Sequence, residues 1–275
     1  MKLHAWGLTD LGRCRDHNED TLLVAPDCGL FAVADGMGGH LGGDRASHMA
    51  VDILRREVGQ ALENGLSHAR VMPAARAHRP MTLPPGTESP ALLNPEDAPA
   101  PAALLRQATC AASSAIYDLA QADAELQGMG TTLTALFVHG ERAFLGHVGD
   151  SRAYLYRDGK ARQLTEDHSW IAEQVKAGLL SADEARDSKF KHIITRSVGF
   201  EREVQVDLQQ FPLVLGDCFV LCSDGLSNYL DNDELASVLT AHYYRRVPSV
   251  LVELANDRGG DDNITVVLIY VANEA

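Results

Sequence analysis

The sequence predicts an α/β fold in which two stacked, mainly antiparallel β-sheets are flanked by α-helical layers, a four-layer sandwich. Three observations support this: short apolar runs rich in β-branched residues recur between turn signals, several runs are close enough to form hairpins, and long amphipathic stretches interrupt them. Closely spaced hairpins favour antiparallel pairing. With 275 residues, the chain is within reach of one α/β domain, and we predict a single domain over residues 1–275.

Six runs have strand character. They cover residues 30–34, 133–138, 143–148, 153–156, 219–222 and 264–271. After the run at 153–156, Asp158-Gly159 is typical of a hairpin turn, because these residues tolerate positive φ. His139-Gly140 predicts a second hairpin.

Helices are predicted from the spacing of apolar residues. From Asp44 onward, apolar residues recur on one helical face, and alanine-rich residues 102–124 form a second long candidate. Residues 233–241 and 249–256 supply two more, and Ser181 with Glu184 resembles a capping box.

Prolines are concentrated in residues 68–101, where little periodicity is present. We interpret this segment as a flexible surface insertion between the two long helices. A partner-binding role is the alternative.

Charge and composition exclude several partners. Lys plus Arg is 24 and Asp plus Glu is 38, giving a formal charge of −14, which argues against nucleic acid or an anionic membrane as a partner. No stretch is long and apolar enough to span a bilayer, and the N-terminus lacks a signal-peptide core. The five cysteines show no CxxC spacing. We therefore expect a soluble, monomeric cytoplasmic protein.

Acidic residues recur at the ends of the predicted strands. Asp35, Asp150 and Asp224 follow strands, Asp262 precedes the last one, and Glu19-Asp20 introduces an apolar run. A single Asp-Gly pair is common in turns. Several carboxylates at one sheet edge would repel one another unless cations neutralised them. Oxygen-only ligands suit Mg²⁺ or Mn²⁺ better than zinc.

A pair of such ions suits phosphate chemistry. The ions lower the pKa of a shared water and stabilise in-line attack on a phosphoryl group. Arg15, four residues before Glu19, would supply a guanidinium that binds the substrate phosphate in a bidentate manner.

These motifs resemble the type 2C metal-dependent protein phosphatases, and most closely the bacterial serine/threonine phosphatases of that family. Six motifs follow the family's order: residues 15–20, 31–40, 128–132, 147–152, 223–226 and 260–265. The resemblance covers nearly the whole chain except the proline-rich segment. It implies hydrolysis of phosphoserine and phosphothreonine in proteins by a metal-bridging hydroxide, with two Mn²⁺ or Mg²⁺ ions, in signalling that opposes a cytosolic Ser/Thr kinase.

The resemblance also implies residue roles. Asp35 would bridge the two metals. Asp224 and Asp262 would complete the ligands of one ion. The Gly36 carbonyl would bind the other ion, with Glu19 and Asp20 holding its waters. Asp150, together with Asp224, would bind a weaker third ion. Thr132 and Asn263 would support these ligands, and Arg15 would bind phosphate.

The general acid and the segment after residue 164 can each be interpreted in two ways. Eukaryotic members have a histidine where this chain has Met37, which cannot donate a proton. His40 is the candidate replacement acid; a structural role for His40, with a metal-bound water as the acid, is the alternative. Residues 165–195 resemble the mobile, substrate-contacting flap of bacterial members, although a simple surface excursion would look similar.

Two other functions remain open at this point. The chain could bind phosphoproteins without turnover, although no metal ligand of the family is missing from it. It could also hydrolyse small phosphate esters, although no nucleotide- or sugar-specific motif is present.

Overall fold

Two antiparallel β-sheets form the centre of the computed structural model, which describes residues 1–39, 42–66, 91–181, 184, 188, 190 and 193–273. With strands numbered along the chain, the first sheet has the order β1-β11-β10-β7-β8. Its strands are β1 (Lys2–Asp10), β7 (Arg152–Arg157), β8 (Lys160–Gln163), β10 (Cys218–Cys222) and β11 (Ile264–Ala272).

The second sheet has the order β2-β3-β5-β6-β9, with β4 paired to β3. Its strands are β2 (Asp20–Ala25), β3 (Leu30–Met37), β4 (Gly130–Thr131), β5 (Leu133–His139), β6 (Arg142–Val148) and β9 (Asp207–Pro212). Neighbouring strands pair antiparallel in both sheets.

Helices cover the outer faces of both sheets. The second sheet packs against α1 (Gly42–Glu63) and α2 (Ala100–Ala122), and the first against α5 (Asn232–Ala241) and α6 (Val247–Asp257). Two shorter helices, α3 (Trp170–Lys176) and α4 (Asp224–Ser227), lie in connections. Among the described helices, none combines the length and apolarity needed to cross a membrane.

Strand β3 shows why the layers form. Phe31 and Val33 point into the core between the sheets, whereas Leu30, Ala32 and Ala34 pack under α1 and α2. Because side chains alternate along a strand, one fully apolar run supplies both faces of a buried sheet. The predicted fold class is therefore confirmed.

Most predicted elements are present with extended ends, and both predicted hairpin turns form, with Asp158 and Gly159 at positive φ. Strands β1 and β9 were not predicted. The helix predicted over 102–124 runs instead from Ala100 to Ala122. The predicted end of the proline-rich segment, at residue 101, is accordingly wrong, because Pro101 lies in the first turn, where a missing N–H is tolerated. Residues 67–90 lie outside the described residues.

Candidate active site

The β2–β3 hairpin places two of the predicted metal ligands side by side. Asp20 and Asp35 are direct cross-strand partners. Asp20 is only 6 % exposed, and its Oδ2 accepts a hydrogen bond of 2.8 Å from Ser223 Oγ. Burial, together with the charges of Asp224 and Asp262, raises the pKa of Asp20 to about 7.

Asp35 is held through its backbone. Its N–H donates to Thr132 Oγ1 at 2.9 Å, and its carbonyl accepts from the Thr132 N–H at 2.8 Å. Thr132 therefore orients Asp35 while leaving its carboxylate directed at the cleft. Although Asp35 keeps partial solvent access, burial in the protein raises its pKa well above the ordinary value. Four neighbouring carboxylates raise it further: Asp20, Asp224, Asp150 and Asp262.

Asp150 follows β6 and is 7 % exposed. Its Oδ1 is buried without a hydrogen-bond partner among the described residues. Burial and the nearby Asp224 raise its pKa to about 8. A buried carboxylate oxygen without a donor is costly, and this observation fits a site that holds a cation.

Asp224 and Asp262 complete the carboxylate cluster. Asp224 begins α4, and its Oδ2 accepts from Asn228 Nδ2 at 3.2 Å. Asp262 lies just before β11, and its Oδ1 accepts from the Asn263 N–H at 2.8 Å.

Gly36 lies where only a glycine fits. A Cβ at this position would lie 2.2 Å from the Gly43 carbonyl oxygen and 2.6 Å from that of Glu19. The Gly36 N–H donates to the Glu19 carbonyl at 3.2 Å. The start of α1 and the backbone of Glu19 therefore close tightly around this position, as a glycine permits.

Arg15 lies at the rim of the same cleft. Its Nη2 donates to Asp262 Oδ2 at 2.7 Å, and its side chain is 49 % exposed. Asn263 secures the segment that carries Arg15: its Oδ1 accepts from the Glu19 N–H at 2.8 Å, and its Nδ2 donates to the carbonyl of His17 at 2.9 Å.

Most of these residues line one open cleft of about 500 Å³, whereas Asp20 and Thr132 lie behind its lining. It brings together Arg15, Glu19, Asp35, Gly36, Asp150, Asp224, Asp262 and Asn263. Within the described residues, no group of three or more His, Cys, Asp or Glu side chains is arranged closely enough to hold a metal ion by itself. An open arrangement of oxygen donors suits hard cations that retain several water ligands.

The prediction that His40 is the general acid is not tested by the structure. His40 lies outside the described residues, so its assignment stays a prediction. Met37 lines the cleft, as does Ile194 from the predicted flap.

Several residues of the site were not predicted. Ser223, adjacent to Asp224, could have been found from the motif that contains both. Asp207, Arg196 and His168 gave no local signal, because they meet only in the tertiary structure.

A sandwich of two antiparallel sheets between helical layers, with an arginine beside a carboxylate cleft, places the chain in the class of sandwich-fold phosphatases. The chain belongs to the protein phosphatase 2C family, which it matches over residues 13–251.

Related proteins agree with this assignment. The chain is 35 % identical over 271 residues to the serine/threonine phosphatase stp of Listeria monocytogenes, covering 97 % of this chain and 95 % of the relative. The crystal structure of the Mycobacterium tuberculosis serine/threonine phosphatase PstP/Ppp is 30 % identical, with a TM-score of 0.81 over 99 % of this chain and 100 % of that one. The catalytic domain of PstP in complex with two manganese ions is 31 % identical, with a TM-score of 0.77 over 98 % and 99 % of the two chains.

Proposed function

We propose that this protein is a phosphoprotein phosphatase that removes phosphate from phosphoserine and phosphothreonine with two Mn²⁺ or Mg²⁺ ions. The observation that carries the proposal is the carboxylate cluster at one end of the sandwich. Burial and mutual repulsion raise the pKa values of Asp20, Asp35 and Asp150. Carboxylates arranged in this way favour bound cations, because cations remove the repulsion.

The residues present fit hard divalent ions. The donors are carboxylates and a backbone carbonyl, and Asp150 offers a buried oxygen without a hydrogen bond. Asp35, Asp224 and Asp262 would hold one ion. Asp35 and the Gly36 carbonyl would hold the other, with Glu19 and Asp20 holding its waters. Asp150, with Asp224, would hold a weaker third ion. When bound, the ions lower the pKa of water and neutralise charge on the phosphoryl group.

Arg15 supplies the phosphate contact. In the structure its guanidinium is bonded to Asp262, and a phosphate entering the cleft would compete for the same donors. The half-exposed position makes this exchange inexpensive, because an exposed ion pair contributes about 1 kcal/mol or less. A planar guanidinium then binds two phosphate oxygens at once.

Thr132 and Asn263 position these groups. Thr132 fixes the backbone of Asp35, and Asn263 fixes that of Glu19. His40 is our candidate for protonating the leaving alkoxide.

The substrates are phosphorylated proteins, and we include a cytosolic Ser/Thr kinase and its targets among the partners. The open cleft, with Ile194 of residues 165–195 at its edge, supports a flap that contacts the substrate. We place the enzyme in the cytoplasm as a monomer with one catalytic domain; the five free cysteines agree with a reducing compartment.

The test is hydrolysis of a phosphothreonine peptide by the purified protein, with Mn²⁺ and with a chelator. A panel of small phosphate esters is measured in parallel. We expect turnover that requires the metal and prefers the peptide. Preference for a small ester would support the small-molecule phosphohydrolase instead, and peptide binding without turnover would support the binding module.

A further inference from the structure

His168 is joined twice to the residue that precedes Asp150. The His168 N–H donates to the Gly149 carbonyl at 2.8 Å, and the Gly149 N–H donates to His168 Nδ1 at 3.0 Å. His168 is 7 % exposed. A ring nitrogen, and not a second backbone carbonyl, therefore accepts the amide at this turn.

The remaining contacts of His168 determine its tautomer. Because Nδ1 accepts from an amide, the ring proton lies on Nε2, which donates to Asp207 Oδ2 at 3.3 Å. With the ring proton on Nε2, Arg196 Nη1 donates to Asp207 Oδ1 at 2.8 Å. Its approach to His168 Nε2, at 3.0 Å, is then a contact between two donors and not a hydrogen bond. Despite partial burial, hydrogen bonds from His168 and Arg196 hold the pKa of Asp207 below its ordinary value, so Asp207 remains an acceptor and holds the imidazole orientation.

Asp150 itself lacks comparable support. Its Oδ1 has no hydrogen-bond partner among the described residues, and its carboxyl group receives a hydrogen bond from its own backbone N–H. The direction of the carboxylate therefore follows the Gly149–Asp150 backbone. That backbone is confined on the other side by Thr132, since a Cβ on Gly149 would lie 2.5 Å from Thr132 Cγ2. Thr132 and His168 thus hold the Gly149–Asp150 turn between them.

A second contact lies just beyond Asp150. Arg152 donates from Nε to Asp167 Oδ1 at 2.9 Å and from Nη2 to Asp167 Oδ2 at 2.7 Å. Asp167 and His168 are adjacent residues at the start of the predicted flap. The far end of the flap joins the same place, because the Thr195 N–H donates to the His168 carbonyl at 2.8 Å.

We propose that His168 is a positioning residue: by accepting the Gly149 amide at Nδ1, it fixes the Asp150 carboxylate in the cleft and couples the flap base to divalent-cation affinity. This inference rests on the proposed function. His168 touches neither substrate nor ion; it acts through the Gly149–Asp150 backbone, as residues behind metal ligands commonly do.

Two substitutions of His168 distinguish the role of Nδ1 from that of Nε2. In His168→Asn the amide oxygen can take the place of Nδ1 as acceptor, whereas in His168→Gln the amide nitrogen can take the place of Nε2 and the Nδ1 acceptor is lost. We expect the Gln variant to need about tenfold more Mn²⁺ for half-saturation, the usual cost of losing a residue behind a ligand. The Asn variant should remain close to wild type.

The measurements are Mn²⁺ titration by calorimetry and hydrogen exchange of the Gly149 amide, with peptide turnover against Mn²⁺ concentration alongside. Gly149 exchange should be faster in the Gln variant than in the Asn variant, and saturating Mn²⁺ should restore its turnover. Asp217→Asn, at the opposite end of the molecule, controls for general destabilisation.

Equal effects of the Asn and Gln substitutions, or a shift in Mn²⁺ affinity equal to that of Asp217→Asn, would overturn the proposal. If the wild-type protein fails to turn over phosphopeptide, the proposed function falls, yet the titration and the Gly149 exchange still decide the role of His168.

Discussion

Strand β10 has an aspartate at each end, and the two lie in opposite surroundings. Asp217, directly before the strand, has a side chain that is 0 % exposed. It is matched by a bidentate Arg157, with Nε–Oδ1 at 2.6 Å and Nη2–Oδ2 at 2.7 Å, and by the Val214 N–H at 2.8 Å. Asp224, two residues after the strand, lies among carboxylates whose pKa values it raises.

Strand β7 repeats the contrast. Arg157 at one end neutralises Asp217, while Arg152 at the other is already paired with Asp167 of the flap base. Arg152, a partly buried arginine two residues beyond Asp150, is therefore already engaged by another carboxylate. At one end of the sandwich the carboxylate is paired with an arginine, as in a structural ion pair. At the other end several carboxylates lie close together, which destabilises the fold and is typical of functional sites.

Replacement of Asp35 should have the largest effect on activity. We expect Asp35→Asn to reduce kcat by about 1000-fold, the upper range for loss of one electrostatic group. The fold should persist, and the thermal midpoint in chelator should not fall, because a neutral amide removes repulsion. Turnover at saturating Mn²⁺ and calorimetry check this. Wild-type rates would refute the assigned mechanism.

Asp217→Asn should lower stability and leave activity unchanged, the reverse of Asp35→Asn. It leaves Arg157 without its carboxylate in a largely buried position, which should lower the free energy of unfolding by about 3 kcal/mol. Because the site lies at the far end of β10, kcat per folded molecule should be unchanged. Denaturant unfolding and peptide turnover measure the two quantities; a lower kcat with intact stability would contradict the division between the two ends.

Arg15→Ala tests whether the guanidinium at the rim of the cleft binds the substrate phosphate. We expect KM for the phosphopeptide to rise by about tenfold or more, since a charge-assisted hydrogen bond contributes about 1.5–3 kcal/mol. Arg15→Lys should recover part of the loss, because an ammonium keeps the charge but not the bidentate geometry. An unchanged dependence of rate on substrate concentration would argue against phosphate binding by Arg15.

His147 makes the stability of the fold depend on pH, and within any single pH unit the effect is small. Burial and the neighbouring His168 lower the pKa of His147 to about 3, whereas the unfolded value is about 6.5. Between these values the unfolded state binds the extra proton, so stability is complete above pH 6.5 and declines as pH falls toward 3. The slope from one histidine is at most about 1.4 kcal/mol per pH unit.

His147→Gln should remove this slope, while the Gln amide can still donate to the Glu166 carbonyl, as His147 Nε2 does at 3.0 Å. Unfolding free energies between pH 4 and 7, with exposed His48→Gln as the matched control, measure the change. A slope equal to that of wild type would show that His147 is not the group responsible.

Strands and turns were predicted correctly where a few neighbouring residues encode them. Apolar runs such as 219–222, and turns such as Asp158-Gly159, carry their structure within a few residues. The unpredicted strands β1 and β9 lie at sheet edges. Each is only partly buried, and β9 contains Gln209 and Gln210, so its pattern is weak. Their pairing with a central strand, not their own propensity, makes them strands.

The candidate site divides in the same way. The acidic residues at strand ends, Gly36 and Arg15 could be read from the sequence, because strand ends and tight turns have local signatures. The contact of Asp207 with Arg196 and His168 could not, nor could the pairing of Arg157 with Asp217, 60 residues apart.

The family, the sandwich class and the residues available for binding cations and phosphate can all be read from the amino-acid sequence. Only the folded chain shows that Asp20 lies opposite Asp35, that Arg157 neutralises Asp217 whereas Asp224 lies among other carboxylates, and that His168 contacts the turn before Asp150. The reason is physical: periodicity and turn chemistry act over a few residues, whereas the electrostatic environment of a carboxylate depends on which distant strand ends meet beside it.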